Sequence, residues 1–233
     1  FPNSTDEYLM LPKNKLIPKN DNYILQFTTE LWETPYLDQV KLIVIDHPDS
    51  VDIFINEKFS PPPFPSSRIY NLTKKYLPIF AEDHRGNNVL ETLKYNDKKY
   101  VSNFLLDKYQ GVSELHDLII GFENLDEADS IFLFLQGWLF PTDASINVNI
   151  SQSKNLKTIF PYIEIMDENG KWVLMEENIG FPKGKNKTMV IDLTNKFTSK
   201  PFSLRIRTTM QIYWDHIFIA SKASGNEIKK YEL

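Results

Sequence analysis

The sequence predicts an all-β fold of the β-sandwich or jelly-roll type, with one or two packed β-domains and one or two short helices. Its 233 residues include only five alanines but 23 isoleucines and 31 aromatic residues. β-Branched and aromatic side chains favour pleated sheets, whereas a scarcity of alanine gives helices little support. Apolar and polar residues also alternate with a period of two in several short segments, which is typical of strands with one buried face.

The strands follow from this alternation. The clearest hairpin runs from Tyr162 to Met175, and its Asn169-Gly170 pair is expected to supply the positive φ angles that a tight turn needs. Alternation also marks strands within residues 51–56, 189–193 and 204–207. Further strands are predicted over residues 23–30, 36–46, 76–81, 117–123, 131–138 and 210–220.

Helical signals are few, and they allow two short helices over residues 89–95 and 100–106, with Asn88 as a cap for the first. The proline-rich stretch from Ser60 to Ser66 is predicted to be an extended connector, because consecutive prolines exclude a helix. The predicted organisation is an extended N-terminal segment (1–22), a first β-domain or half (23–110), a second, jelly-roll-like β-domain (111–225) and a tail (226–233).

Composition excludes several classes of function. The chain carries 26 basic and 31 acidic residues, and this net charge of −5 argues against a nucleic-acid partner. It has no cysteine, which excludes disulfides, zinc–cysteine sites and thiol nucleophiles. Its longest apolar stretch, residues 131–140, is about half the length of a bilayer span, so no membrane span is predicted. Because it begins with Phe1, we interpret the chain as a processed or excised piece.

A series of short phrases occurs in order over most of residues 23–220. They are Glu30-Leu-Trp-Glu33 leading into Tyr36-Leu-Asp38, Asp46-His-Pro48, Phe59 with Pro61-Pro-Pro-Phe-Pro65, Tyr109-Gln-Gly111, Gly137-Trp138, Ile179-Gly-Phe-Pro182 with Gly184 and Lys187-Thr-Met189, and Ile212-Tyr-Trp-Asp215. Together they resemble a C-terminal module of large bacterial proteins that also contain FG-GAP-type β-propeller repeats and ASPIC/UnbV segments, or tetratricopeptide repeats. The resemblance implies an extracellular or periplasmic location and a partner domain in the same parent chain, and it implies no established enzymatic activity.

All four histidines adjoin an aspartate: Asp46-His47, Asp83-His84, His116-Asp117 and Asp215-His216. Neighbours on a strand point to opposite faces, so an adjacent pair does not form a catalytic dyad by itself. A metal or acid–base site would need such residues to converge from different strands. Structural or solvated roles are therefore the default interpretation. His47 is the exception and a candidate partner contact, because it lies in a turn after a predicted strand.

Asp38 and Asp215 are each predicted to share a strand face with a tyrosine two residues earlier and with the apolar residues that follow. A carboxylate on a largely buried face must accept hydrogen bonds or bind a cation. One interpretation has it accept backbone N–H groups of a neighbouring loop. The other makes Asp38 and Asp215 ligands of a structural Ca²⁺, a hard cation that prefers oxygen ligands. No other cofactor is predicted.

Four aromatic residues are candidate contacts to a carbohydrate, because a flat ring can stack on a pyranose face: Trp138, Trp172, Tyr213 and Trp214. Trp138 follows a strongly apolar strand and Trp172 lies within the hairpin, so core packing also explains both. Tyr213 and Trp214 are neighbours on one predicted strand. One of these two rings is therefore expected to face outward.

The sequence thus predicts a non-enzymatic binding or assembly module of a bacterial exported protein, whose ligand is a carbohydrate or a neighbouring protein domain. The first alternative is a carbohydrate-active hydrolase with an Asp/Glu/His cluster between strands. The second is a purely structural domain that packs on a propeller or repeat region. A sugar-binding module predicts an outward aromatic platform, a hydrolase predicts a deep cleft, and a structural domain predicts a broad apolar patch.

Overall fold

The predicted all-β, sandwich-like fold is confirmed by a computed structural model of the chain. The structure describes residues 7–11, 16–28, 36–62, 64–66, 68–123, 130–182, 184, 186–196, 202–221 and 229–232. Its strands are β1 (Ile43–Asp46), β2 (Asp52–Ile55), β3 (Lys58–Phe59), β4 (Ile69–Leu72), β5 (Phe80–Asp83), β6 (Val112–Phe122), β7 (Ile131–Leu139), β8 (Tyr162–Met166), β9 (Trp172–Glu176), β10 (Phe181–Pro182), β11 (Lys187–Asp192), β12 (Phe202–Met210), β13 (Ile212–Ser221) and β14 (Lys229–Glu232). Its helices are α1 (Leu90–Leu93) and α2 (Ala144–Gln152).

Two antiparallel sheets form the sandwich. The five-stranded sheet has the order β5-β6-β12-β8-β9, and the three-stranded sheet has the order β11-β7-β13. Alternate residues of each strand point inward, so the facing rows exclude water and form one apolar core. Its strand residues from the two sheets include Leu118, Ile120, Ile163, Leu204 and Ile206 on one side and Leu133, Leu135, Met189, Ile191, Ile217 and Ile219 on the other.

The three-stranded sheet also buries most of its second face. Phe132 and Phe134 of β7 and Phe218 of β13 lie there beneath the paired strands β2 and β4, whose Phe54 and Leu72 cover them. The rings of Phe134 and Phe218 stack with 4.8 Å between centroids. This second, smaller core explains why β7 reads as a nearly continuous apolar run, because a strand buried on both faces has no polar row.

The outer edge of β11 is closed by side chains. Asn56 Nδ2 donates to the carbonyl oxygen of Val190 at 3.0 Å, and the backbone N–H of Val190 donates to Asn56 Oδ1 at 3.1 Å. The carboxylate of Glu57 accepts the backbone N–H of Thr188 at 3.0 Å. The backbone N–H of Glu57 also donates to the carbonyl oxygen of Thr188 at 2.8 Å. These groups take the place of a neighbouring strand at Thr188 and Val190.

A bulge interrupts β13 between Trp214 and His216, which pair with Gly137 and Gln136 of β7. Asp215 is the extra residue of the bulge. Before it, Trp214 points into the main core, and after it Ile217 does, so the inward-facing positions shift by one residue. Tyr213, Asp215 and Ile217 are predicted to share one face of the strand. That prediction is wrong, because the bulge separates Tyr213 from the inward-facing Ile217. A Cβ at Gly137 would lie 2.4 Å from the carbonyl oxygen of Tyr213, which explains why glycine occupies this position.

The predicted hairpin is confirmed as β8 and β9, although only Gly170 of its Asn-Gly pair has a positive φ, of 74°. The strand predicted over 76–81 begins later in the structure, as β5 (Phe80–Asp83). Of the strand predicted over 36–46, only residues 43–46 form a strand, β1. The strand predicted over 23–30 is absent from the described residues 23–28, and residues 29–30 lie outside the described part of the chain. β6, β7 and β13 overlap the strands predicted over 117–123, 131–138 and 210–220.

The helix predicted over 89–95 is confirmed in shortened form as α1, whereas the helix predicted over 100–106 is wrong. Its residues Val101 and Leu106 instead form single bridges to Trp214 and Ser113, so their backbone extends the sheets. The sequence pattern missed α2 because its asparagine, serine and β-branched residues are weak helix formers. Its cap is Asp143, whose side chain accepts the N–H of Ile146 at 2.8 Å. β5, in the predicted first half (23–110), pairs with β6, in the predicted second half (111–225), so the two halves share one sheet. The domain boundary at residue 110 stays a prediction.

Replacing Asn56 with alanine is expected to destabilise the fold by about 1 to 3 kcal/mol, because both backbone groups of the buried Val190 lose their partners. The free energy of unfolding in urea measures this change. Asn155→Ala is the matched control, since Asn155 is exposed, and it is expected to stay within about 0.5 kcal/mol of the parent. Equal values for the two variants would show that the edge closure contributes nothing.

Candidate functional site

Two of the predicted aromatic contacts, Trp138 and Tyr213, lie side by side at one end of the three-stranded sheet. They are register partners on β7 and β13, and their rings stack with 4.6 Å between centroids and 14° between planes. Tyr100 meets both rings edge-on, Phe140 tilts against Trp138, and Phe104 lies 5.3 Å from Tyr213. The rings therefore stack mainly on one another rather than forming a flat row.

Polar groups fix this aromatic cluster in place. The hydroxyl of Tyr100 donates to Asn186 Oδ1 at 2.7 Å, and the side-chain amide of Gln211 donates to the hydroxyl of Tyr213. Trp138 and Tyr213 are both half-buried. The ring faces in this cluster pack mostly against one another, which leaves little flat surface for a pyranose ring.

The structure does not bring the other two tryptophans into this cluster. Trp214 is only 3% exposed and packs in the main core, as the alternation with Tyr213 predicts for one of the two rings. Trp172 lies half-buried on β9, with the guanidinium carbon of Arg205 4.6 Å from its ring centroid. The four candidate rings thus occupy three separate places in the fold.

Arg205 and Arg207 occupy the outer face of the five-stranded sheet, but they are not free charges. Arg205 Nε donates to Glu164 Oε2 at 2.6 Å, and Arg207 Nε donates to Asp117 Oδ1 at 2.7 Å. Each pair joins neighbouring strands in direct register. The two arginines therefore stabilise this face by charge pairing and do not form a free anion site.

Asp215 fits the backbone interpretation rather than a cation. It is 1% exposed, and its carboxylate accepts the N–H groups of Asp97 and Lys98 at 3.2 to 3.3 Å. Burial raises the pKa of Asp215, and these N–H donors oppose the rise. N–H donors repel a cation, so this setting does not fit Ca²⁺. Asp38 is exposed, and no group of three or more His, Asp or Glu side chains in the described residues is arranged to hold a metal ion.

Two of the four Asp-His pairs do converge. The rings of His84, after β5, and His116, on β6, lie 6.1 Å apart. His84 Nε2 is 3.0 Å from Glu114 Oε1, which also accepts hydrogen bonds from Arg85 at 2.7 Å and from the N–H of Leu105 at 2.8 Å. His47 lies elsewhere, exposed, with Nδ1 donating to the carbonyl of Pro48 at 3.0 Å.

The carboxylates beside these histidines are held ionised by hydrogen bonds. The N–H of Leu105 and the side chains of Arg85 and His84 lower the pKa of Glu114 to about 2. Burial alone would raise the pKa of Asp83, but donors from Asn103, Asn87 and two backbone N–H groups lower it to about 2. Carboxylates that accept this many hydrogen bonds hold turns and loops together. Because they stay ionised near neutral pH, they have no proton to donate there.

His116 borders a cavity of about 10 Å³, room for roughly one water molecule. Its Nδ1 lies 3.0 Å from the carbonyl oxygen of Glu114, so Nδ1 carries the proton and Nε2 is an acceptor. Nε2 is buried and has no hydrogen-bond partner among the described residues. Phe104 stacks on the ring at 4.4 Å, and burial lowers the pKa of His116. The cluster therefore holds a neutral imidazole beside a space too small for a sugar.

The described residues near the start of the chain expose many large apolar side chains. We define the N-terminal apolar segment as the described residues 7–11, 16–28 and 36–42. Twelve large apolar side chains of this segment are more than a third exposed: Leu9, Met10, Leu11, Ile17, Tyr23, Ile24, Leu25, Phe27, Tyr36, Leu37, Val40 and Leu42. The sequence pattern missed this feature, because strands predicted over 23–30 and 36–46 are expected to bury one face.

Comparisons with known protein families, with curated proteins and with solved structures find no match to this chain. No helix in the described part of the chain is long and apolar enough to cross a membrane. The resemblance to the bacterial module stays a prediction.

The folded protein is expected to lose stability as the pH falls from about 6.5 to about 4. Burial and the nearby charge of Lys75 lower the pKa of His216 to about 4, whereas an unfolded histidine takes up a proton near pH 6.5. The unfolded state therefore binds more protons in this window, at a cost of about 2 to 3 kcal/mol. Urea unfolding of His216→Gln should show a shallower pH dependence. The control His47→Gln, at an exposed histidine, should leave the pH dependence of the parent unchanged. Parallel curves for the parent and both variants would show that His216 does not cause the loss of stability.

Adding Ca²⁺ or EDTA is expected to leave the melting temperature unchanged, because the N–H donors around Asp215 leave no place for a cation. Asp215→Ala should lower the melting temperature in either solution by the same amount, since the N–H groups of Asp97 and Lys98 lose their acceptor. A rise with Ca²⁺ in the parent that disappears in Asp215→Ala would contradict this, because a ligand of the native state must stabilise it.

Proposed function

We propose that this chain is a non-enzymatic assembly module whose N-terminal apolar segment is buried against another protein domain. The observation that carries the proposal is the row of exposed side chains in that segment, with Tyr36 80% and Ile24 74% exposed. Burying one such side chain contributes about 1.5 to 3 kcal/mol. Large exposed apolar areas on soluble proteins commonly mark interaction sites.

A protein partner is better supported than a carbohydrate. Trp138 and Tyr213 stack on each other, Arg205 covers one face of Trp172, and Trp214 lies in the core. A sugar-binding surface needs bare ring faces, which these contacts largely remove. A chain of exposed Tyr, Ile, Leu and Phe side chains instead matches the composition of the buried centre of protein interfaces.

A binding role is also better supported than hydrolysis. Glycoside hydrolysis needs two carboxyl groups on opposite sides of a bound sugar, one of them with a raised pKa. Asp83 and Glu114, the carboxylates near the histidine pair, have lowered pKa values and accept several hydrogen bonds each. The cavity that Asp83 lines with His84 and His116 admits about one water molecule. An exported location, as the resemblance implies, stays a prediction.

The test is site-specific photo-crosslinking in cells that produce the protein natively. A photoreactive amino acid replaces Tyr23 or Tyr36 in the N-terminal apolar segment, or the control Tyr95, which is as exposed as Tyr23 at 61%. We expect Tyr23 and Tyr36 to cross-link to one contiguous protein surface, mapped by mass spectrometry, and Tyr95 to give no such product. Scattered or equal cross-links from all three positions would overturn the proposal. A glycan-array signal that is lost in Trp138→Ala would favour the carbohydrate alternative instead.

A further inference from the structure

The tip of the β8–β9 hairpin carries the one asparagine of the sequence that a glycine follows, Asn169 before Gly170. Both residues are exposed. The side-chain amide of an asparagine is open to attack by the backbone nitrogen of the next residue. Glycine obstructs this approach least, because it has no Cβ and moves freely through φ and ψ. The pair is therefore a candidate site of spontaneous covalent modification.

Hydrogen bonds hold the hairpin tip in one geometry. The N–H of Gly170 donates to the carbonyl oxygen of Asp167 at 3.0 Å, and the N–H of Asp167 donates to the carbonyl oxygen of Lys171 at 2.8 Å. Asp167 Oδ1 accepts the N–H groups of Asn169 at 2.9 Å and of Lys171 at 2.8 Å. A positive φ at Gly170 fits a type I turn followed by a left-handed glycine. The closed turn slows the attack, because the N–H of Gly170 is already bonded.

The tip lies where the fold opens easily. β9 is the last strand of the five-stranded sheet and pairs there with β8, and its Val173 and Leu174 are 46% and 55% exposed. Among the described residues, no atom lies within 4 Å of the place that a Cβ on Gly170 would take. Exposed segments with few buried contacts open locally at low cost in free energy. Each opening releases the N–H of Gly170 and lets the side chain of Asn169 rotate towards it.

We propose that Asn169 is a site of spontaneous deamidation, with water as the co-reactant. The nitrogen of Gly170 loses its proton to water and forms a bond to Cγ of Asn169. The bond from Cγ to Nδ2 breaks, and Nδ2 takes up a proton and leaves as ammonia. Water then opens the resulting five-membered succinimide ring at one of its two carbonyls, which gives aspartate or isoaspartate. The proposal is independent of the assembly role.

Isoaspartate disturbs the hairpin more than aspartate does. Its backbone runs through the former side chain of Asn169 and is one methylene longer. The bonds from the N–H groups of Gly170 and Lys171 to Asp167 then cannot both keep their geometry. Either product also places a new carboxylate beside the acidic Asp167 and Glu168, and like charges repel. The β8–β9 hairpin of the modified chain is therefore less stable.

Peptide mapping by mass spectrometry tests the site. The native protein is incubated at mildly alkaline pH, and the converted fraction is followed at Asn169 and at the exposed Asn155, which precedes a leucine. We expect Asn169 to convert severalfold faster than Asn155. We also expect conversion of Asn169 to be severalfold faster in urea, where the turn is open. Equal conversion of the two asparagines in the native protein would overturn the proposal, and equal rates with and without urea would overturn the protective role of the turn.

Two variants separate the longer backbone from the added charge. Asn169→Asp adds the carboxylate alone, and Asn169→Gln suppresses the reaction, because its ring would need six members. We expect the melting temperature of the parent to fall during incubation as isoaspartate accumulates, measured by enzymatic methylation of isoaspartate. Freshly prepared Asn169→Asp should show a smaller loss, and Asn169→Gln should keep its melting temperature. An equal fall in Asn169→Gln would show that another change destabilises the protein and would overturn the effect assigned to the hairpin.

Discussion

The central constraint on this fold is that β7 is buried on both faces. Leu133 and Leu135 face the five-stranded sheet, whereas Phe132 and Phe134 face the opposite way. A strand of this kind needs a cover on each side, and one sandwich partner supplies only one. The β2–β4 pair supplies the second cover over half of the strand, and the stacked ring of Tyr213 shields Trp138 at its far end. The small strands and loops therefore follow from the composition of β7.

Much of this architecture was predictable from the sequence because alternation reports directly on a half-buried strand. Leu204 and Ile206 alternate with two arginines, and the structure places them on the inner and outer faces as expected. The pattern failed where backbone hydrogen bonds, not side-chain burial, decide the structure. The bulge at Asp215 reverses the alternation with no mark in the residue types. Residues 100–106 are predicted as a helix, yet the backbone of Val101 and Leu106 pairs with strands.

The candidate site was less predictable than the fold, because it depends on long-range contacts. The sequence singled out Trp138 and Tyr213 separately, and only the strand register brings their rings together. Likewise, His84 and His116 meet because β5 and β6 are neighbours. The exposed N-terminal side chains could not be identified at all, since an apolar residue has the same signature whether its partner is in the chain or outside it.

Gly137 has a consequence for how the chain folds. Sliding β13 by one residue along β7 would place a different backbone unit against this glycine and move every side chain of β13 to the opposite face. The bulge can sit only where β7 has no side chain, because the backbone of Tyr213 occupies that space. Gly137 and the bulge at Asp215 together fix the register of β13 on β7 and disfavour registers shifted by one residue. Mispaired forms of the central sheet should therefore be poorly populated during folding.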